Sequence, residues 1–219
     1  MSLSMGARQV SGLFLGPVAG DLGLSRDGFG IAVALQNLVW GLSQPVAGLL
    51  ADRHGSRPVV VVGAILYVLG MTMAAFAGSG IAFTFGLGVL CGLGQSGTGF
   101  AVILAVIGRA APSERRSMAM GIGSAAGSIG MFVLVPATSA LIELVEWRNA
   151  MIVLALILAT MIPLGLMLND KPGAVVERPA SGSLALQAVV PDRDYWLLNF
   201  GFAVCGFQLA FIATYTSLQ

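Results

Sequence analysis

Six apolar stretches, each close to the length of a bilayer-crossing helix, divide this sequence and restrict what it can fold into. They run over roughly Ile31–Ala51, Val59–Ala77, Ile81–Ile107, Met118–Ile142, Asn149–Leu168 and Tyr195–Leu218. A helix needs about 20 consecutive, mostly apolar residues to cross the hydrocarbon core. Charged residues make up only 10% of the chain, against roughly a quarter in a soluble globular domain. They are also collected between the apolar stretches instead of marking polar helix faces. The expected fold class is therefore all-α integral membrane. Glycine and proline inside the stretches fit this class, because neighbouring helices can satisfy the backbone groups they free.

A shorter apolar stretch, Val10–Gly20, follows Arg8 and Gln9 and ends at Asp21. It is too short to span and reads as the outer end of a first helix whose beginning is missing or atypical. The last stretch runs out at Gln219. Both ends of the chain are thus expected to be cut. The start, Met1 to Arg8, lacks the basic, apolar, small-residue order of a cleaved signal peptide.

Several classes fall away. A net charge of +1 implies no basic surface for nucleic acid. Cys91 and Cys205 lie inside apolar runs, with neither metal-ligand nor disulfide spacing, and read as packing residues. Gly92-Leu-Gly94-Gln-Ser-Gly97 matches a dinucleotide-binding pattern, but that pattern needs a preceding strand. Inside an apolar span it is a packing feature. The sole histidine, His54, lies in a loop, and no acidic residue is central to a full span. No catalytic dyad, metal site or cofactor is implied, and an enzyme is not expected.

Basic residues orient the chain, since loops on the cytoplasmic side are enriched in Lys and Arg. Alternate loops carry Arg53 and Arg57, then Arg109, Arg115 and Arg116, then Lys171, Arg178 and Arg193. The opposite loops carry Arg26 and Arg148. The first set is expected inside the cell. Asn169–Asp194 is long and polar, with Pro172, Pro179 and Pro191, and reads as a linker between two bundles.

The first basic loop reads Gly48-Leu-Leu-Ala-Asp52-Arg53-His54-Gly55-Ser56-Arg57-Pro58. It resembles the signature of the major facilitator superfamily: glycine, three residues, aspartate, a basic residue, any residue, glycine, then basic residues. It also falls between the second and third spans, as in that family, although Ser56 stands at one basic position. Gly48 would permit close helix approach, and Gly55 a tight turn. Asp52 would bond arginines or a helix N-terminus, whose dipole favours an anion. The resemblance implies a gating loop of Gly48, Asp52, Arg53, Gly55, Arg57 and Arg109, its aspartate meeting a helix of a second half. Arg109-Ala-Ala-Pro112-Ser-Glu114-Arg115-Arg116, followed by Gly121, Gly123 and Gly127, looks like the family's fourth-to-fifth connection. Glu146-Trp147-Arg148 is similar to its outer turn before helix six. The family's arginine inside helix four has no counterpart in Gly86–Gly99. Arg8-Gln-Val-Ser-Gly-Leu-Phe and Asp21-Leu-Gly-Leu-Ser-Arg26 resemble the carboxylate-carrying branches, monocarboxylate or oxalate–formate, less specifically.

The resemblance implies about twelve helices in two halves. Residues 1–168 would form the first bundle, 169–194 the linker, and 195–219 the start of the second. The partners would be the lipid bilayer, a small solute and the missing second bundle.

Polar residues inside spans are functional candidates. Arg8 has two readings: near mid-membrane, where an anionic substrate would be its partner, or at the boundary, reaching the headgroups. Gln36, Trp40 and Gln44 recur every four residues and share a stripe, beside Asn37. They line a cavity or bond a neighbouring helix. Gln95 and Gln208 are further candidates, Tyr67 reads as packing, and Asp21 as a solvated loop residue. Gly88 with Gly92, and Gly123 with Gly127, read as close-packing pairs. The expected substrate-binding set is Arg8, Gln36, Trp40 and Gln95. The expected function is secondary transport of a small solute, such as a monocarboxylate-like anion, by alternating access at the plasma membrane. A multidrug or sugar exporter of the same fold, or a non-transporting half, are the alternatives.

Overall fold

The computed structural model describes residues 1–168 and scattered positions from Arg193 to Gln208. The chain divides into two compact units, Met1–Pro172 and Gly173–Gln219. In the second unit the described positions, Gln208 among them, are helical and exposed. The expected linker 169–194, apart from Arg193, lies outside the described residues, as do Cys205 and the end of the last apolar stretch.

The first unit begins with α1 (Ser2–Gln9), a 3-10 stretch (Val10–Phe14) and α2 (Leu15–Leu22). These follow one another as a single helical run, stopped by Gly23 in the left-handed region at φ 59, a common helix ending. The helix therefore begins well ahead of Val10, and the apolar stretch Val10–Gly20 forms its later part. Hydropathy missed Ser4, Gly6 and Arg8 because polar or small residues lower it. Ser4 and Gly6 are buried against the bundle, so they never meet lipid.

Next comes α3 (Arg26–His54), with Ser25 accepting from the Gly28 N–H at 3.0 Å and Asp27 in its first turn. Both satisfy or complement the positive helix start. Then α4 (Ser56–Ala75) follows across Gly55. The fourth span is broken into α5 (Gly80–Thr84), a π-helical stretch (Phe85–Leu90), α6 (Cys91–Thr98) and α7 (Phe100–Ala110). Gly99, with ψ −173, separates the last two. The dinucleotide-like glycines lie on α6, buried between helices.

A 3-10 turn (Ser113–Arg115) leads into α8 (Arg116–Ala159), followed by α9 (Met161–Leu166). In that turn its own backbone N–H and the Ser113 hydroxyl hold the Glu114 carboxyl below the usual carboxylate range. The apolar stretch Ser113–Leu166 is 54 residues long, about 80 Å of helix and more than twice the hydrocarbon thickness. It makes two spans because Glu146 leaves the helical region at φ 66, ψ 159. Ser56–Ala75 and Gly80–Ala110 are also long and apolar enough to cross. The 29 residues of α3 have the length with a more polar composition.

The core is largely apolar, but the outer surface is apolar too, unlike that of a water-soluble protein. Large apolar side chains such as Leu42, Ile81, Phe132 and Leu144 point outward, while Ser4, Gln36, Ser56, Gln95, Ser96 and Thr98 are buried. With lipid as solvent, helix association rests on close packing and interhelical hydrogen bonds. Small residues supply the packing. A Cβ on Gly94 would meet the Tyr67 nitrogen at 2.5 Å, and one on Gly97 the Val59 oxygen at 2.7 Å. Gly70 and Gly86 oppose each other across the same helix pair. Gly88 and Gly92 bring α3 against the fourth span, and Gly123 meets Ile107. Towards the Asp21 end, Phe29, Phe83 and Trp147 stack with centroids 5.8 and 6.5 Å apart. At Gly48 no described atom outside its own stretch of helix lies within 4 Å of a Cβ. At that level α3 turns its small face out of the unit.

Candidate functional site

Three helices bring polar groups together in the interior. Arg8 ends α1, and its Nη2 donates to Asn37 Oδ1 at 2.6 Å. The Asn37 amide nitrogen donates to the Val33 carbonyl at 2.8 Å, which turns its oxygen towards the guanidinium. The same guanidinium lies 4.5 Å from the centroid of the Trp40 ring, a cation–π arrangement. Asn37 and Trp40 are three residues apart on α3, so a single turn supplies both contacts.

Arg8 has no carboxylate partner among the described residues. Every described acid, from Asp21 to Glu146, lies near a helix end or the Glu146 break within α8. A neutral amide and a ring face leave the positive charge uncompensated by the protein, which is costly in a low-dielectric interior.

Behind this group sits a hydroxyl network. Thr98 Oγ1 donates to the Gly94 carbonyl at 3.0 Å, so Ser4 must donate to Thr98 across their 3.0 Å contact. The Tyr67 hydroxyl donates to the Ser4 carbonyl at 3.3 Å. These bonds tie α1, α4 and α6 together and give Tyr67 a polar role besides its packing.

Gln95 is fully buried, and neither its Oε1 nor its Nε2 has a partner; the same holds for Trp40 Nε1. Each unmet group costs roughly 1–3 kcal/mol. Gln95 shares a helical stripe with Gly92 and Gly99. Gly92 packs on the Gln36 carbonyl and Val39, and a Cβ on Gly99 would lie 3.4 Å from Trp40 Nε1 and 3.5 Å from Gln44 Nε2. Trp40 thus shows its face to Arg8 and its N–H edge to the break in the fourth span. Gln36 is buried at the upper end of that contact. The group offers a cationic fork, an indole donor and an amide that both donates and accepts.

The loop motif forms a second cluster at one end of the unit. Gly55 takes φ 86, ψ 158, a region essentially confined to glycine. Arg109, in the last turn of α7, donates through Nη2 to Ser56 Oγ at 2.6 Å, and its Nη1 lies 3.8 Å from Asp52 Oδ1. Asp52 therefore faces an arginine of its own unit. Ser56 is fully buried, whereas Arg53, His54 and Arg57 are exposed. A serine at a position expected to be basic marked this contact in the sequence. Asn37 was placed beside the polar stripe of α3 and does bond a neighbouring helix, whereas nothing comparable flagged Ser4 or Thr98.

At the opposite end Asp21 is helical and paired, not a solvated loop residue. Arg148 Nη2 lies 2.9 Å from its Oδ2, and Arg148 Nε donates to the same oxygen at 3.1 Å. Arg148 Nη1 also donates to the Ala75 and Ala77 carbonyls at 3.0 and 3.2 Å, which closes the end of α4.

With large apolar side chains on its outer surface, a few polar groups buried among its helices and membrane-length spans, this is a multispanning α-helical membrane protein. The chain belongs to the Major Facilitator Superfamily, which its sequence matches over residues 1–219. It is 32% identical to human monocarboxylate transporter 11 over 207 residues, 93% of this chain and 44% of that protein. It is 33% identical to mouse monocarboxylate transporter 11 over 167 residues, 76% of this chain and 37% of that protein. Bovine monocarboxylate transporter 13 is 29% identical over 188 residues, 86% of this chain and 42% of that protein. The chain thus spans less than half the length of these relatives.

Proposed function

We propose that this chain forms one half of a secondary transporter that moves a small organic anion, of monocarboxylate type, by alternating access. The supporting observation is Arg8: a part-buried guanidinium on the Trp40 face, bonded to a neutral amide, with no carboxylate among the described residues to balance it. A planar guanidinium suits a carboxylate through paired hydrogen bonds. The unmet groups of Trp40 and Gln95 would serve the rest of the solute. The names of the relatives support the same class of cargo.

In this reading a second helical bundle completes the site, and the two bundles rock about it. The Asp52–Arg109 cluster gates the end that carries Arg53 and Arg115, which faces the cytoplasm. The bilayer here is the plasma membrane.

Arg8→Ala, in the polypeptide that joins this chain to its second bundle, should cut uptake of labelled organic acids by about a hundredfold or more. Insertion should be unchanged, and Arg8→Lys should keep part of the activity. Unaltered uptake by Arg8→Ala would remove Arg8 from the site. Counterflow of lipophilic drugs or sugars in place of acids would assign an exporter. Labelling of cysteines placed at 53 and 115 from outside intact cells would reverse the orientation.

A further inference from the structure

On the outer surface of the first unit, α3, α4 and α6 enclose an apolar groove of about 420 Å³. Its walls include Leu42, Val46, Leu50, Val62 and Leu66, and Gly63 and Gly97 deepen its floor. His54 and Pro58 line it where α3 turns into α4. The groove opens sideways, and Leu42, Val46, Leu50 and Val62 are strongly exposed along it. An exposed apolar groove of this kind in a membrane protein has the chemistry to take a lipid acyl chain.

One end of the groove is charged. Arg53 and Arg57 flank His54 on the turn and are exposed. Neither pairs with a carboxylate among the described residues, since Asp52 is directed to Arg109. An apolar channel that ends in two unpaired arginines and an imidazole complements a single amphiphile: an acyl chain with a negative headgroup. Basic clusters at helix ends bind anionic headgroups in this way.

We propose that this groove is a binding site for an anionic phospholipid, with one acyl chain between α3 and α4 and its phosphate at Arg53 and Arg57. The site is separate from the Arg8 interior and does not depend on what the protein carries. A bound chain would brace the turn that presents Asp52 and Gly55, so lipid charge would bear on that cluster.

The test uses the purified chain in nanodiscs holding equal phosphatidylglycerol and phosphatidylcholine, with retained lipids read by native mass spectrometry. Phosphatidylglycerol should be enriched on the wild-type chain. Each of Arg53→Gln and Arg57→Gln should lower that enrichment about fivefold, while the double Lys variant keeps it. Ser43→Phe, which fills the groove, should release the retained lipid without altering the helical circular dichroism. Equal retention of the two lipids would overturn the proposal. So would enrichment that survives Ser43→Phe, which would mean surface charge alone, or occupation of the groove by a second copy, seen as a crosslink between cysteines at Val62.

Discussion

The two ends of the first unit are each organised by an arginine, and they are built differently. At one end Arg148 reaches Asp21 twice and caps two carbonyls, with its longest contact at 3.2 Å. At the other, Arg109 holds the buried Ser56 at 2.6 Å but stands 3.8 Å from Asp52, whose side chain is 68% exposed. The first arginine closes a helix end and a charge pair within one clasp. The second keeps a carboxylate at the surface beside it.

Each turn also has one residue in the same unusual backbone region: Gly55 at φ 86, ψ 158 and Glu146 at φ 66, ψ 159. Glycine occupies it freely, whereas glutamate is strained there. The end with the stronger clasp therefore carries the strained turn, and the looser end has the relaxed one.

Substitutions can break this contrast. Arg148→Ala removes a charge pair and two carbonyl bonds, and should destabilise the unit by about 2–4 kcal/mol. Thermal unfolding in detergent would read it, with Arg148→Lys intermediate. A loss as small as that of an exposed ion pair would deny the clasp its role. Gly55→Ala forces a side chain into the glycine region and should cost about 1–3 kcal/mol. The same measurement on Glu146→Gly should show the opposite sign, a gain of about 1 kcal/mol. A loss there would mean that the Glu146 side chain matters more than its backbone.

The smallest effects separate the partners of Arg109. Ser56→Ala removes the part-buried Ser56–Arg109 hydrogen bond and should cost about 1–2 kcal/mol. Asp52→Asn should change stability by less than about 1 kcal/mol, and that change should vanish in high salt. Equal costs for the two would erase the distinction between the ends.

Much of this architecture was legible in the apolar stretches, because span length is a property of consecutive residues. The Gly48–Pro58 loop pointed to the superfamily in the same local way. The beginning of the first helix was not legible because hydropathy averages over all faces of a helix and cannot see that Ser4 and Gly6 point inward. Gln36, Trp40 and Gln44 were identified as one stripe, since helical periodicity is local too. That Asn37 would take the guanidinium was not visible, because it depends on how α1 crosses α3. Asp21 looked solvated for the same reason: its partner lies 127 positions away.

Unaided, the order of residues decided that this chain lives in lipid, where its helices run, and which superfamily it joins. Those outcomes follow from hydropathy, from chain-breaking residues and from short motifs, all of which act between near neighbours. Only the tertiary structure decided that Arg8 lies on Trp40 without a counter-charge, that Gln95 is buried unsatisfied, and which arginine holds which end. Such pairings depend on the angles and depths at which helices cross, and glycine contacts between distant segments set those.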